Sequence, residues 1–132
     1  MREIIDKNDD KMISLFESCE LTNAEANCLC YLLMQKNGMS SDIEKTMKMS
    51  QSEVSVGMRD LLKKDFVSYT KVPRNTKGRP LHIYKINSLT NVHDKLKSML
   101  KDMMEKIVSK MNDIDMLFSE LESNKQNTLE DS

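Results

Sequence analysis

The chain has 132 residues, of which 39% are hydrophobic and 31% charged, with a formal net charge of −1. That length makes one domain with an appendage rather than two independent domains, and no apolar run approaches the roughly 20 residues that cross a bilayer. The stretch from Met1 to Met12 lacks the apolar core and small-residue cleavage site of a secretory leader, so a cytoplasmic protein with no membrane attachment is expected.

Charge is unevenly spread. Residues 1–30 hold seven acids against three bases, whereas residues 66–93 carry Lys71, Arg74, Lys77, Arg79 and Lys85 with no acid. A near-neutral chain that gathers cations on one short segment can meet phosphate there despite its overall sign; the alternative is an ordinary solvated loop.

In chain order, Met12, Phe16 and Cys19 form one helical row with Ile13 and Leu15 beside it, which predicts a first helix over 9–19. Thr22 followed by Glu25 is a capping box, in which each side chain satisfies a free amide of the other. It opens a helix carrying Leu29, Leu32 and Leu33, and Gly38 suits the left-handed cap at its end. Cys28 and Cys30 fall inside this helix and point about 200° apart, so they cannot easily share a metal. With Cys19 they read as small buried thiols rather than a redox or metal sensor.

The capping device recurs at Ser41 with Glu44, opening a helix to about Lys48, and at Ser50 with Glu53, opening one to about Lys64. Two helix starts only nine residues apart, the second helix longer, are the pattern of a helix-turn-helix. Val54, Met58, Leu61 and Leu62 make the inward stripe of the second helix. Gln51, Ser52, Ser55, Val56 and Arg59 are left on its outer face.

The period then changes. Phe66 to Val72 is β-branched and aromatic and reads as a strand. Pro73 to Pro80 is a basic turn-forming loop, and Leu81 to Ile86 alternates as a returning strand. A hairpin directly after a helix-turn-helix makes a winged helix, so a mainly α fold (α+β) is expected.

From about Ser88 a helix continues with no Gly or Pro. Leu100, Met104, Ile107, Met111, Ile114, Phe118 and Leu121 recur at alternating spacings of four and three, a heptad seam roughly 30 Å long at about 1.5 Å per residue. The small domain cannot cover such a seam, so a second copy is expected to. Leu89, Val92, Leu96, Met99 and Met103 form an earlier stripe, expected to pack on the domain or on a partner's first helix. The organisation is thus residues 1–20 as a supporting helix, 21–87 as the winged helix, 88–123 as the dimerisation helix and 124–132 as a polar, frayed tail.

These residues resemble the winged-helix regulators of the MarR, ArsR and TrmB-like superfamily, especially the small archaeal ones. The resemblance covers roughly residues 21–87. Its most specific element is Lys77-Gly78-Arg79-Pro80-Leu81-His82-Ile83-Tyr84, similar to a K-G-R-P-x-x-x-Y wing. The helix pair matches a family pattern at Asp42, Ile43, Ser50, Ser52, Val54 and Ser55. One departure is Glu53, where the family's recognition helix is often basic; here cations arrive only at Arg59, Lys63 and Lys64.

The resemblance implies a homodimeric transcriptional regulator, most simply a repressor, that binds double-stranded DNA at a pseudo-palindromic operator. Gln51, Ser52, Ser55, Val56 and Arg59 would face the major groove, with Gln51 suited to adenine and Arg59 to guanine or phosphate. Lys71, Arg74, Lys77, Gly78 and Arg79 would carry the wing along the backbone or minor groove. Glu53 reads as a cap rather than a cytosine contact.

Other readings are a winged helix used for protein contact, and a Met-rich pocket for a small-molecule effector. A metal site from His82, His93 and a cysteine would need distant residues to converge. No cofactor, nucleotide loop, metal-ligand cluster or paired nucleophile and base is legible, so catalysis is not expected.

Overall fold

The computed structural model describes residues 7–73 and 81–130. Helix α1 spans Lys7–Ser18, α2 Asn23–Gln35, β1 Asn37–Met39, α3 Ser40–Met47, α4 Gln51–Lys63, β2 Val67–Val72, β3 Leu81–Ile86 and α5 Leu89–Glu130. The chain divides into two compact units, one ending at Lys97 and the other starting at Ser98. Among the described residues, no helix is long and apolar enough to cross a membrane.

Helix α2 is the centre of the first unit, packed by α1, α3, α4 and the sheet. Eight of its 13 residues are buried, from Glu25 through Leu32. A helix surrounded on all sides needs apolar residues all round rather than one stripe, which is why Cys28 and Cys30 point apart and are both buried. All three cysteines are free thiols. Burial, with the Glu25 carboxylate adding to it, pushes the Cys28 thiol up to about 12.

The first-helix row is shifted by one residue. Ile13, Phe16 and Cys19 are buried, Met12 is half-buried, and Leu15 is exposed beside an open apolar groove along α1.

Two expectations at helix ends are corrected. Gly38 does not cap α2, which ends on Lys36 at φ 71°. Gly38 instead lies in β1, a strand not anticipated, paired with Tyr84. Its missing side chain makes room for the Tyr31 ring, with which any Cβ there would collide. The Ser41–Glu44 capping box does not form either. Helix α3 begins two residues early, capped by the backbone of Met39 with no side-chain bond. Pairing of Met39 with Ile83 sets that start, and the Ser40 hydroxyl bonds Tyr84.

The other two boxes form as expected. The Thr22 amide donates to Glu25 Oε1 at 3.0 Å and the Glu25 amide to Thr22 Oγ1 at 3.2 Å; Ser50 and Glu53 repeat the arrangement at the same distances.

The sheet has order β1-β3-β2, antiparallel throughout. Tyr69 pairs with Tyr84 and Lys71 with His82. The deepest side chain of β3 is Tyr84, while Leu81 and Ile83 remain half-buried.

Helix α5 opens on Ser88, whose hydroxyl accepts from the Asn91 amide at 3.0 Å. Val92 is buried, Leu96, Met99 and Met103 are half-buried, and Leu89 is 69% exposed, so the earlier stripe starts at Val92. Helix α5 runs past Asn124, to Glu130.

Candidate nucleic-acid interface

Helix α4 presents the candidate reading face. The Ser50–Glu53 box ends the approach chain sharply, so the first turn of α4 is exposed rather than buried in a loop. The Ser50 amide and hydroxyl hold the Glu53 carboxyl below its ordinary range. With its Oε1 accepting from the Ser50 amide at 3.0 Å, Glu53 serves the helix start, as expected.

Val54, Gly57, Met58 and Leu61 turn inward. Gly57 lets α4 lie against α2: a Cβ there would stand 2.9 Å from the Ala24 carbonyl oxygen and 3.1 Å from Cys28 Sγ. The opposite side leaves Gln51, Ser52, Ser55, Val56 and Arg59 exposed. Arg59 is 61% exposed at its side chain and only 3.5 Å from Asp60 Oδ1, so its guanidinium remains available.

Lys64 behaves differently from its sequence reading. Its Nζ donates to Glu25 Oε2 at 2.6 Å, and the Glu25 side chain is 1% exposed. One carboxylate thereby caps α2 and ties down the end of α4. The exposed cations of α4 are Arg59, which keeps its contact with Asp60, and Lys63.

Gln51 and Ser55 also line a cleft of 340 Å³ with Ser41 and Glu44 of α3 and with Leu81, His82 and Tyr84 of β3. His82 stacks on Tyr69 at 4.4 Å and meets Tyr84 edge-on at 6.0 Å, with Nδ1 3.4 Å from the Tyr84 hydroxyl. Sequence reasoning missed this aromatic wall, although cross-strand register at Tyr69, His82 and Tyr84 was the available signal.

Lys71 is exposed on β2. Arg74, Lys77, Gly78 and Arg79 lie outside the described residues. Among the described residues no group of His, Cys, Asp and Glu is placed to hold a metal, and His93 meets only Asp94, at 3.2 Å.

In the second unit the seam residues Leu100, Met104, Ile107, Met111, Ile114, Phe118 and Leu121 are each between 41% and 61% exposed.

No protein-family model matches the chain, and no curated protein matches it. Solved structures do. A protein of Methanosarcina mazei Go1 described as a possible transcriptional regulator superposes with TM-score 0.64 at 16% identity, over 76% of this chain and 85% of that one. The ST1889 protein of the thermoacidophilic archaeon Sulfolobus tokodaii gives 0.58 at 19% identity, over 76% of this chain and 98% of that one. TrmBL2, an archaeal chromatin protein whose structure is reported to show a novel mode of DNA binding, gives 0.59 at 18% identity, over 86% of this chain and 40% of that one. The chain shares its fold with these archaeal proteins, and that fold is the winged helix-turn-helix.

Proposed function

We propose that the protein is a sequence-specific double-stranded DNA-binding transcriptional regulator, acting in the cytoplasm as a homodimeric repressor on a pseudo-palindromic site. The observation that carries this reading is a capped, solvent-exposed α4 face beside the β2–β3 hairpin. Gln51, Ser52, Ser55 and Arg59 supply donors and acceptors of the kind that read base edges, and Val56 supplies an apolar contact suited to a thymine methyl. Lys71 and the basic residues Arg74, Lys77 and Arg79, with Gly78 between them, supply backbone attraction from the hairpin.

Dimerisation follows from the exposed seam. A contiguous apolar stripe from Leu100 to Leu121 is costly to leave in water, and a second copy of the same stripe is its natural cover. The groove along α1 beside Leu15 offers a further place for a partner's helix. Two reading helices related by a two-fold axis then require half-sites about one helical turn apart, or a multiple of it.

Selection of bound duplexes from a random pool tests the reading directly. The expected product is an enriched inverted repeat. Arg59→Ala should relax base preference at one position in each half-site. Arg79→Ala should weaken binding to every sequence and reduce the salt slope by about one ion. The second reading, a winged helix for protein contact, is favoured by the engagement of Lys64 with Glu25, which leaves α4 weakly basic. Absence of binding to any duplex at low salt would select it.

A further inference from the structure

The oxidisable sulfurs of this chain fall into two environments. Cys19, Cys28 and Cys30 are at most 2% exposed, and burial raises the thiols of Cys19 and Cys28. Peroxide attacks a thiolate, which such thiols scarcely form at neutral pH. A thioether has no proton to lose, so access decides its oxidation. Among the described methionines the exposed ones are Met104, Met111 and Met116, each between 58% and 64% exposed, and all three lie on α5.

Their places on that helix differ. Met104 and Met111, seven residues apart, occupy the same heptad position on either side of Ile107 in the seam. Met116 is nine residues from Ile107, which at 3.6 residues per turn sets it on the opposite side of the helix. Leucine would fill the same seam and would not oxidise. On oxidation the thioether sulfur takes one oxygen from a peroxide. An S–O bond forms as the O–O bond breaks, the sulfur gives up two electrons, and the rest of the peroxide leaves as water. The flexible apolar side chain becomes polar. The seam neighbours Leu100, Ile107 and Ile114 offer its oxygen no donor, and a pair of chains would bury four such oxygens, two from each.

We infer that Met104 and Met111 are an oxidative modification site, at which a peroxide turns the seam from a surface that pairs into one that does not. A seated partner shields both sulfurs, so the oxidant takes the separated chain and withdraws it from pairing. The inference rests on the reading of α5 as a dimer seam. Loss of the bivalent part of the DNA affinity is a consequence that rests on the DNA-binding reading as well.

The test treats the full chain with hydrogen peroxide, following each methionine by peptide mass spectrometry and the assembly by sedimentation. At about a hundred times the dimer Kd, mass action leaves less than about a tenth of the chains free. Met104 and Met111 should then oxidise about tenfold more slowly than Met116, and dilution below the Kd should remove the lag. Chains carrying both sulfoxides should sediment as monomers, with the dimer Kd raised by at least about a hundredfold. Met104→Leu combined with Met111→Leu keeps the seam volume and should stay dimeric through the same treatment, whereas Met116→Leu should dissociate as the wild type does. A doubly oxidised chain that still sediments as a dimer overturns the inference. So does dissociation of the Met104→Leu, Met111→Leu variant, protection by Met116→Leu, or failure of Met104 and Met111 to oxidise below the Kd. A chain that is monomeric before any oxidant is added removes the dimer reading, and this inference with it.

Discussion

Among the described residues, four other than glycine take positive φ at the turns: Glu20, Lys36, Lys48 and Asp65. Each side chain there crowds the backbone, at a cost of roughly 1–2 kcal/mol relative to right-handed conformations. Lys48 sits in the left-handed region at φ 54°, ψ 51°, in the turn of the helix-turn-helix. Lys48→Gly should therefore stabilise the protein by up to about 1 kcal/mol after the extra freedom of an unfolded glycine is deducted, read as a higher urea midpoint. Cys28 gives a chemical check of the core. Its raised pKa keeps it a thiol at neutral pH, and the thiolate is the nucleophile. Iodoacetamide at neutral pH should leave Cys28 unmodified in the folded chain and alkylate it in denaturant, as peptide mass spectrometry would show.

Between elements, the α2–α4 contact depends on a residue that helix propensity would replace. Ala exceeds Gly by about 1 kcal/mol in a helix interior, yet Gly57→Ala would push a Cβ onto the Ala24 backbone, which cannot rotate away. Overpacking of this kind costs about 1–3 kcal/mol. A net loss of about 1 kcal/mol is expected in chemical denaturation, and a gain would refute the close approach. The start of α4 carries a pH signature. Glu53 is held below its ordinary range by the Ser50 amide and then the Ser50 hydroxyl. A lowered folded-state pKa means its stabilisation is complete above the ordinary glutamate range and fades as pH falls through the lowered value. The stability advantage of wild type over Glu53→Ala should be constant near neutrality and shrink below about pH 4.5, the unperturbed value.

In the whole molecule, the exposed seam and the reading face belong to one proposal. Most helical stability in proteins comes from packing of an apolar face rather than from propensity. Ile107→Lys combined with Ile114→Lys places charges in the middle of the seam. Sedimentation should change from dimer to monomer, helicity should fall, and affinity for a two-half-site duplex should drop by about a hundredfold as bivalency is lost. A wild-type chain that sediments as a monomer would remove the basis of the dimer.

Much of this architecture was legible from residue order because its signals are local. Capping boxes at Thr22–Glu25 and Ser50–Glu53, the 3.6-residue stripe Val54, Met58, Leu61, and the strand period around Tyr69 each involve residues a turn or two apart. The outer face of α4 followed by subtraction from that stripe. What required the folded chain are contacts across long sequence separations. Strand β1 exists because Asn37 to Met39 pair with residues 83–85; Gly38 serves the Tyr31 ring rather than a helix end; and Lys64 is claimed by Glu25, 39 residues away. Local preference decides which segments are helix or strand, but long-range packing decides which charges remain for a partner, because burial and pairing depend on neighbours that residue order does not place.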